Sequence, residues 1–413
     1  PTTGAPKGVI LRHKNILSNC KAVSHIPPFG PKHRAMSFLP LCHIYERMIN
    51  YMLLYKGLSI YYISNMGLIA DSLKEVHPHI FSTVPRLLEK VYDKIIMKGR
   101  ALKGIKKSIF FWANNVALKY DIGKEKRNPI YGLKLKIARK LVLDKWKQAL
   151  GNNLDIVVSG GAALQPRLNK VFWAVGLRIL EGYGLTETSP VIAVSDFSPN
   201  GIKFGTVGPV LKNTEVKIAD DGEILVKGPG VMIGYYKDEA LTKEVIDEDG
   251  WLHTGDIGVI EPGGQLKITD RKKVIFKTSF GKYIAPQIIE NKFKESPFID
   301  QMLVIGENQK FAAALLSPDF NHLKSWCNIK GIPYTSNEDM IAMPRIRKRF
   351  QKEVTHYNTF LGDYERIVKF EILDHEWSVE AGQLSATLKP RRSHLFKEYA
   401  NIIDKIFSRE NNK

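Results

Sequence analysis

Two short apolar runs, each ending in a glycine-rich loop, constrain the fold of this chain more than any other feature. LDIVVSG (154–160) is rich in β-branched residues and stops at glycine, and LRILEGYG (177–184) does the same. Between them, Gln165 to Val175 carries apolar residues at helical spacing. A strand–loop–helix–strand succession of this length reads as a crossover between parallel strands. The expected fold is therefore α/β, with ligand loops at the carboxyl ends of a parallel sheet.

The texture changes between about 201 and 269. TVGPVLKNTEVKIADDGEILVKGPGVMIGYY has short β-rich stretches broken by Asp221-Gly222 and Gly228-Pro229, which predicts a small antiparallel β-barrel. A boundary follows near ITDRKK (268–273). Residues 271–413 then read as a smaller α+β domain, with helices near 287–296 and 344–356, and residues 1–270 belong to a large domain. A chain of 413 residues has room for two to four such units. Apolar content of 44% and charged content of 25% exclude wholesale disorder. Cys20, Cys42 and Cys327 form no paired framework, which predicts a reducing, cytoplasmic setting. The greasiest stretch, INYMLLYKGLSIYYI (49–63), is interrupted by Lys56 and is too short to span a bilayer. No signal peptide is visible.

The net charge is +19, and it is concentrated. Residues 98–147 hold fifteen Lys/Arg against three acidic residues, an excess of twelve positive charges. Apolar spacing there predicts two amphipathic helices separated by Asn128-Pro129. Two readings remain open: ordinary helices with a solvated basic face, or a peripheral membrane contact. Nucleic acid is excluded as the expected partner because no nucleic-acid motif accompanies the charge.

Four loops carry candidate chemistry. PTTGAPKGV (1–9) places Thr2, Thr3, Gly4 and Lys7 where hydroxyls, backbone and an ammonium could hold phosphate oxygens, at a spacing unlike Walker A. SGGAAL (159–164) could admit a flat base against backbone. EGYGLTETSP (181–190) combines the Tyr183 ring, the Thr186 hydroxyl and the Glu187 carboxylate, a set able to stack a base, hold a phosphate and hold Mg²⁺. GWLHTGDIG (250–258) offers Asp256 as an acceptor for ribose hydroxyls. Each loop alone is also compatible with a plain polar turn.

Their order is more specific. TTGAPKGV, PLCHIYER, SGGAAL, GYGLTET, GEILVKG…GYYKD, DGWLHTGD, ITDRKK and TLKPRR resemble the successive motifs of the adenylate-forming superfamily, across essentially the whole chain. FLPLCHIYERM, LKEVHPHIFSTVPRLLEKVYDKI and LSATLKPRR are most similar to long-chain fatty acyl-CoA synthetases, whereas peptide-synthetase domains and luciferases usually end in a motif like SGK. The resemblance implies a large α/β domain with a mobile C-terminal lid. It also implies a two-step reaction using ATP, Mg²⁺ and CoA, in which a fatty acid forms an acyl-adenylate and then a thioester. It assigns Thr2, Thr3, Gly4 and Lys7 to the terminal phosphates. Gly161 and Ala162 would flank the adenine, with Tyr183 stacked on it beside Gly184. Thr186 would contact the α-phosphate, Glu187 the Mg²⁺, and Asp256 and Arg271 the ribose. Lys389 would act in adenylation, His43 would lie by the acyl pocket, Lys273 would be the hinge, and Phe280 and Gly281 would line the CoA approach.

Two departures stand out. The phosphate motif usually starts with an aromatic, Thr, Ser and Gly, but only Pro1 precedes the threonines here, so the expectation is a piece of a larger domain. Phe280 occupies a position where glycine is usual. Transfer to a carrier-protein thiol and an inactive nucleotide-binding fragment remain as alternatives to CoA ligation.

Overall fold

The computed structural model describes residues 7–385 and 388–408. They fall into two compact units. The larger holds residues 7–254 and 258–268, and the smaller holds 255–257 and the described residues from Thr269 onward.

In the larger unit, a first short strand, β1 (Val9–Ile10), precedes a six-stranded sheet. Its strands are β2 (Arg34–Ser37), β3 (Ser59–Tyr62), β4 (Ile80–Thr83), β5 (Ile156–Ser159), β6 (Arg178–Gly184) and β7 (Val191–Val194). The order is β3-β2-β4-β5-β6-β7. All pairs are parallel except β6–β7, where β7 closes one edge antiparallel. Both faces are covered, and successive residues serve opposite cores, as the two-residue period of a strand requires. Met36, Phe81, Val157 and Ile179 face one cluster, while Ala35, Ile80, Ile156 and Leu180 face the other. The expected strands are β5 and β6, and the expected helix between them is Pro166–Val175.

The greasy 49–63 stretch is divided between the helix Ile44–Tyr55 and β3. No helix among the described residues is long and apolar enough to cross a membrane. The basic segment forms the helix Gly104–Leu118, the helix Pro129–Ala138, a π-helical turn Arg139–Leu143 and the helix Asp144–Ala149. Their inner faces bury Phe110, Ala113, Tyr131, Leu135, Leu143 and Trp146 in the first cluster.

The β-rich region contains β8 (Glu215–Ile218), β9 (Glu223–Lys227), β10 (Gly234–Tyr235), β11 (Leu252–Glu261) and β12 (Gln265–Arg271). β10 pairs with β1, and the others form a sheet in the order β12-β11-β9-β8. The expected small barrel is thus a four-stranded sheet. Pro209 bridges its β12 residue Gln265, and the adjacent Val210 bridges Ala193 of β7.

The smaller unit has a hairpin of β13 (Phe276–Lys277) and β14 (Tyr283–Ile284), then a sheet of β15 (Ile299–Ile305), β16 (Ala312–Pro318) and β17 (Ile367–Ile372). β15–β16 is antiparallel and β16–β17 parallel. Alternation again splits the core: Met302, Val304, Ala314 and Leu316 face one cluster, and Leu303, Ile305, Ala313 and Leu315 the other. The predicted helices are Pro286–Phe293 and Pro344–Asn358. Each opens with proline in its first turn, where a missing N–H costs nothing.

Phe350 is fully buried among Phe293, Phe298 and Leu316. Phe350→Ala is expected to destabilise the smaller unit by about 3–5 kcal/mol, the usual cost of emptying an aromatic core site. Chemical denaturation followed by fluorescence measures this, and a near-zero loss would show that the core collapses around the gap.

Candidate active site

The register of β5 against β6 sets Ser159 beside Glu181 at the carboxyl edge of the sheet. The SGGAAL and EGYGLTET loops leave from neighbouring points as a result. Gly161 and Ala162 are exposed. Tyr45, from the PLCHIYER segment, packs its ring on Gly160, where a Cβ would sit 2.9 Å from the ring. Its hydroxyl donates to the Val158 carbonyl at 3.0 Å. Tyr183 pairs with Ala193 and packs on the Ile192–Ile224–Leu266 cluster. Gly184 must be glycine, because a Cβ would meet the Pro190 carbonyl oxygen at 1.8 Å.

Two buried carboxyls, with no bonded cation among the described residues, brace the end of the first loop and the neighbouring strands β2 and β4. Glu181 accepts from the Asn169 amide at 2.8 Å and from the Leu164 backbone N–H, at the end of SGGAAL. Burial pushes its carboxyl up to about 7. Glu46 is buried and accepts from the hydroxyls of Ser37 (2.5 Å) and Ser82, and from Asn50 at 3.2 Å. Burial raises its pKa, and the three hydrogen bonds oppose that rise.

Thr186 is exposed and Glu187 half-buried, both in a single 3₁₀ turn. The Tyr235 hydroxyl donates to Glu187 Oε1 at 2.9 Å. Lys7 places its ammonium 5.1 Å from the Tyr235 ring centroid. The larger unit thus groups Lys7, Tyr235 and Glu187. Two buried asparagines of the helix His13–Val23 clamp the surrounding loops. Asn19 bonds both backbone groups of Val191, at 2.7 and 3.1 Å, and Asn15 donates to the Pro229 and Val231 carbonyls. Among the described residues no group of three His, Cys, Asp or Glu side chains could hold a metal. A site built on the Glu187 carboxylate would suit Mg²⁺, an ion bound through one or two carboxylates that keeps water and phosphate oxygens as its other ligands.

The smaller unit groups Asp256, Arg271 and Lys389. Asp256 is buried, and Arg271 Nε donates to its Oδ1 at 3.0 Å. The Lys389 ammonium is pushed down to about 8, chiefly by burial, with the Arg271 charge adding and Asp256 opposing. Asp270, just before Arg271, is raised to about 6 by burial, while it accepts from the Arg271 and Gln287 backbone N–H groups.

Lys273 is exposed. Phe280 is exposed at the tip of the β13–β14 hairpin, followed by Gly281 at φ +77°. His43 caps the start of the helix Ile44–Tyr55 with an exposed side chain, while Tyr45 and Glu46 of the same segment are the members fixed to the sheet. Thr2, Thr3 and Gly4 lie outside the described residues. Sequence reading missed the braces Asn15, Asn19, Tyr45, Glu46, Asn169 and Glu181. Their partners lie up to 216 residues away, so no local spacing signals them.

Glu181 yields a signed prediction. Its folded carboxyl titrates near 7, above the usual 4.5, so between these values the folded state holds the extra proton. Stability is then highest at and below about pH 4.5 for this group and falls by about 3 kcal/mol as pH rises to 7. Glu181→Gln should remove that slope. Denaturation curves of both proteins across this window measure it, and parallel pH profiles would refute the assignment.

Comparison with known proteins places this geometry. Residues 2–236 match the AMP-binding enzyme family, and residues 274–411 match the AMP-binding enzyme C-terminal domain. The chain is 36% identical over 426 residues to long chain acyl-CoA synthetase 6, peroxisomal, of Arabidopsis thaliana, covering 98% of this chain and 59% of that protein. It is 34% identical to long-chain-fatty-acid–CoA ligase FadD15 of Mycobacterium bovis, covering 99% of this chain and 68% of that protein. Human long-chain-fatty-acid–CoA ligase 1 is 33% identical, with 98% and 60% covered. The chain spans about 60% of the length of the Arabidopsis and human relatives. Among solved structures, the adenylation domain of a carboxylate reductase from Mycobacterium chelonae superposes with a TM-score of 0.76 at 22% identity, over 99% of this chain and 59% of that one. The adenylation domain of a carboxylic acid reductase from Segniliparus rugosus, in complex with AMP and a co-purified carboxylic acid, gives 0.72 at 20% identity, over 98% and 60%. The chain belongs to the AMP-binding, adenylate-forming enzyme family, and its relatives there are long-chain acyl-CoA synthetases.

Proposed function

We propose that this chain belongs to an ATP-dependent long-chain fatty acid–CoA ligase. The observation that carries the proposal is the grouping of a half-buried Lys389 with the Asp256–Arg271 pair, in a chain whose relatives are long-chain synthetases. In the first step a carboxylate oxygen attacks the α-phosphorus of ATP and pyrophosphate leaves. In the second, the CoA sulfur attacks the acyl carbon, AMP leaves and the thiol proton passes to solvent. Positioning and charge stabilisation supply most of such catalysis. Thr2, Thr3, Gly4 and Lys7 would hold the terminal phosphates. Gly161, Ala162, Tyr183 and Gly184 would hold adenine, and Thr186 the α-phosphate. Asp256 would accept from the ribose hydroxyls with Arg271 orienting it. Glu187 would hold Mg²⁺, whose charge offsets that of the phosphates. Lys389 would neutralise charge as carboxylate and α-phosphate approach. His43 is assigned to the acyl pocket, Lys273 to the pivot between steps, and Phe280 and Gly281 to the CoA approach. The domain limits proposed are 1–270 and 271–413. Pyrophosphate release across a fatty-acid length series, with and without CoA, tests the function on the full-length protein.

Lys389→Ala is expected to lower adenylation by at least about 100-fold, the usual size of such an electrostatic contribution. It should leave thioester formation from supplied acyl-adenylate and CoA intact. Because the ammonium form is the active one, kcat/KM for adenylation should fall as pH rises past about 8. The same depressed value means that the unfolded chain binds the extra proton between 8 and 10.5, so the group's contribution to stability rises with pH there. Equal slowing of both steps in the variant would remove this role.

A peripheral site at an anionic bilayer is part of the same reading, on the cytoplasmic side that three free thiols favour. The helix Pro129–Ala138 and the π-helical turn that continues it present Ile130, Leu133, Ile137 and Leu141 to solvent at three- and four-residue spacing, flanked by Lys134, Lys136 and Lys140. An outer face that is both apolar and basic matches the interface of anionic lipid. Full-length protein should sediment with anionic vesicles and release as salt rises, since screening acts within about 8–10 Å. Leu133→Glu should weaken the association. Equal sedimentation with neutral and anionic vesicles would eliminate the electrostatic preference for anionic lipid.

A further inference from the structure

We propose that Leu388 is the positioning residue of Lys389, holding the loop so that the ammonium stays near the Asp256–Arg271 pair. The proposal rests on the role given above to Lys389. Leu388 has φ +59°, in the left-handed region that a side chain rarely occupies. Such a conformation persists only where the surroundings impose it, and it clusters at functional sites.

Here the surroundings are explicit. The loop ends are joined by a bridge between Leu384 and Pro390, and Arg391 N donates to the Gln383 carbonyl at 2.8 Å. Inside that bridge, Ser385 N donates to the Lys389 carbonyl at 2.8 Å, Lys389 N donates to Ser385 Oγ at 3.1 Å, and Leu388 N donates to the Ser385 carbonyl at 2.8 Å. The Leu388 side chain is not left in water. It packs on the cluster formed by Leu303, Leu315, Trp377, Leu384 and Leu395.

The base of the loop is fixed as well. Gln383 is buried; its side-chain oxygen accepts from Ser378 N at 3.1 Å, and its amide donates to Tyr399 Oη at 3.1 Å and to Glu398 Oε1 at 2.7 Å. Trp377 Nε1 donates to the same Tyr399 oxygen at 3.2 Å. The Leu388 side chain therefore spans from a rigid floor to the backbone that carries Lys389. In the SGK ending noted above, glycine stands at this point; glycine can take a positive φ without strain, but it has no side chain to anchor. In this chain apolar burial holds the strained backbone in place, and the lysine that follows is aimed rather than free.

The test uses full-length protein with Leu388→Gly, Leu388→Met and Lys389→Ala. Leu388→Gly relieves the backbone and removes the anchor, so it should lower kcat for adenylation of palmitate about tenfold while leaving KM unchanged, as expected for lost orientation. Thioester formation from palmitoyl-adenylate and CoA should stay at the wild-type rate. The high-pH limb of adenylation should move upward from about 8, because a loosened lysine regains water. Leu388→Met should restore both properties. Wild-type adenylation and an unmoved limb in Leu388→Gly would overturn the proposal, as would equal slowing of both half-reactions. Hydrogen exchange at the Lys389 amide separates this from the role of the lysine itself. Faster exchange in Leu388→Gly, restored by methionine, supports positioning even if Lys389→Ala proves active, in which case only the lysine's catalytic role falls. Unchanged exchange overturns the positioning.

Discussion

The parallel pairing of β5 with β6 is the constraint on which the larger unit's site depends. It sets Ser159 opposite Glu181, so two loops separated by a helix emerge side by side. The pairing is held by burial on both faces, with Val157 and Ile179 in one core and Ile156 and Leu180 in the other. A slip of one residue would exchange every one of these side chains between cores and move both loops. Gly184 shows how little tolerance remains where β6 meets β7, since even a methyl group would strike the Pro190 carbonyl.

Polar groups do the local work that the apolar cores cannot. Among the described residues, Glu181, Glu46 and Asp270 are buried acids without a bonded cation; Glu181 and Glu46 each accept two hydrogen bonds from other elements, and Asp270 accepts one from its neighbour Arg271 and one from Gln287. Such groups cost desolvation and return specificity of geometry. Asn15 and Asn19 do the same with neutral amides, tying the helix His13–Val23 to the Pro229–Val231 segment and to Val191, just after the turn that carries Glu187. The functional loops are therefore exposed at their tips and fixed at their roots, as pre-organised binding of a charged ligand requires.

The smaller unit uses a different device. Its sheet is apolar on both faces, and the loop after it is closed by backbone hydrogen bonds and pinned by Leu388. Lys389 is half-buried and another cation is near, and both effects disfavour its charge. An anion entering that environment meets an ammonium with few competing partners, which strengthens their interaction.

Much was legible in the residues alone. Periodicity located β5, β6 and the helix Pro166–Val175, turn dipeptides located the second sheet, and eight ordered motifs identified the family. These are local patterns, and local patterns survive in a linear reading. The order β3-β2-β4-β5-β6-β7, the clamps from Asn15 and Asn19, and the burial that shifts Glu181 and Lys389 were decided only by the tertiary structure. So was the inward placement of Tyr45 and Glu46 beside an exposed His43 in one motif. Each depends on which residues more than a few turns apart exclude water from one another, and the free energy of that exclusion belongs to the packed assembly rather than to any segment of the chain.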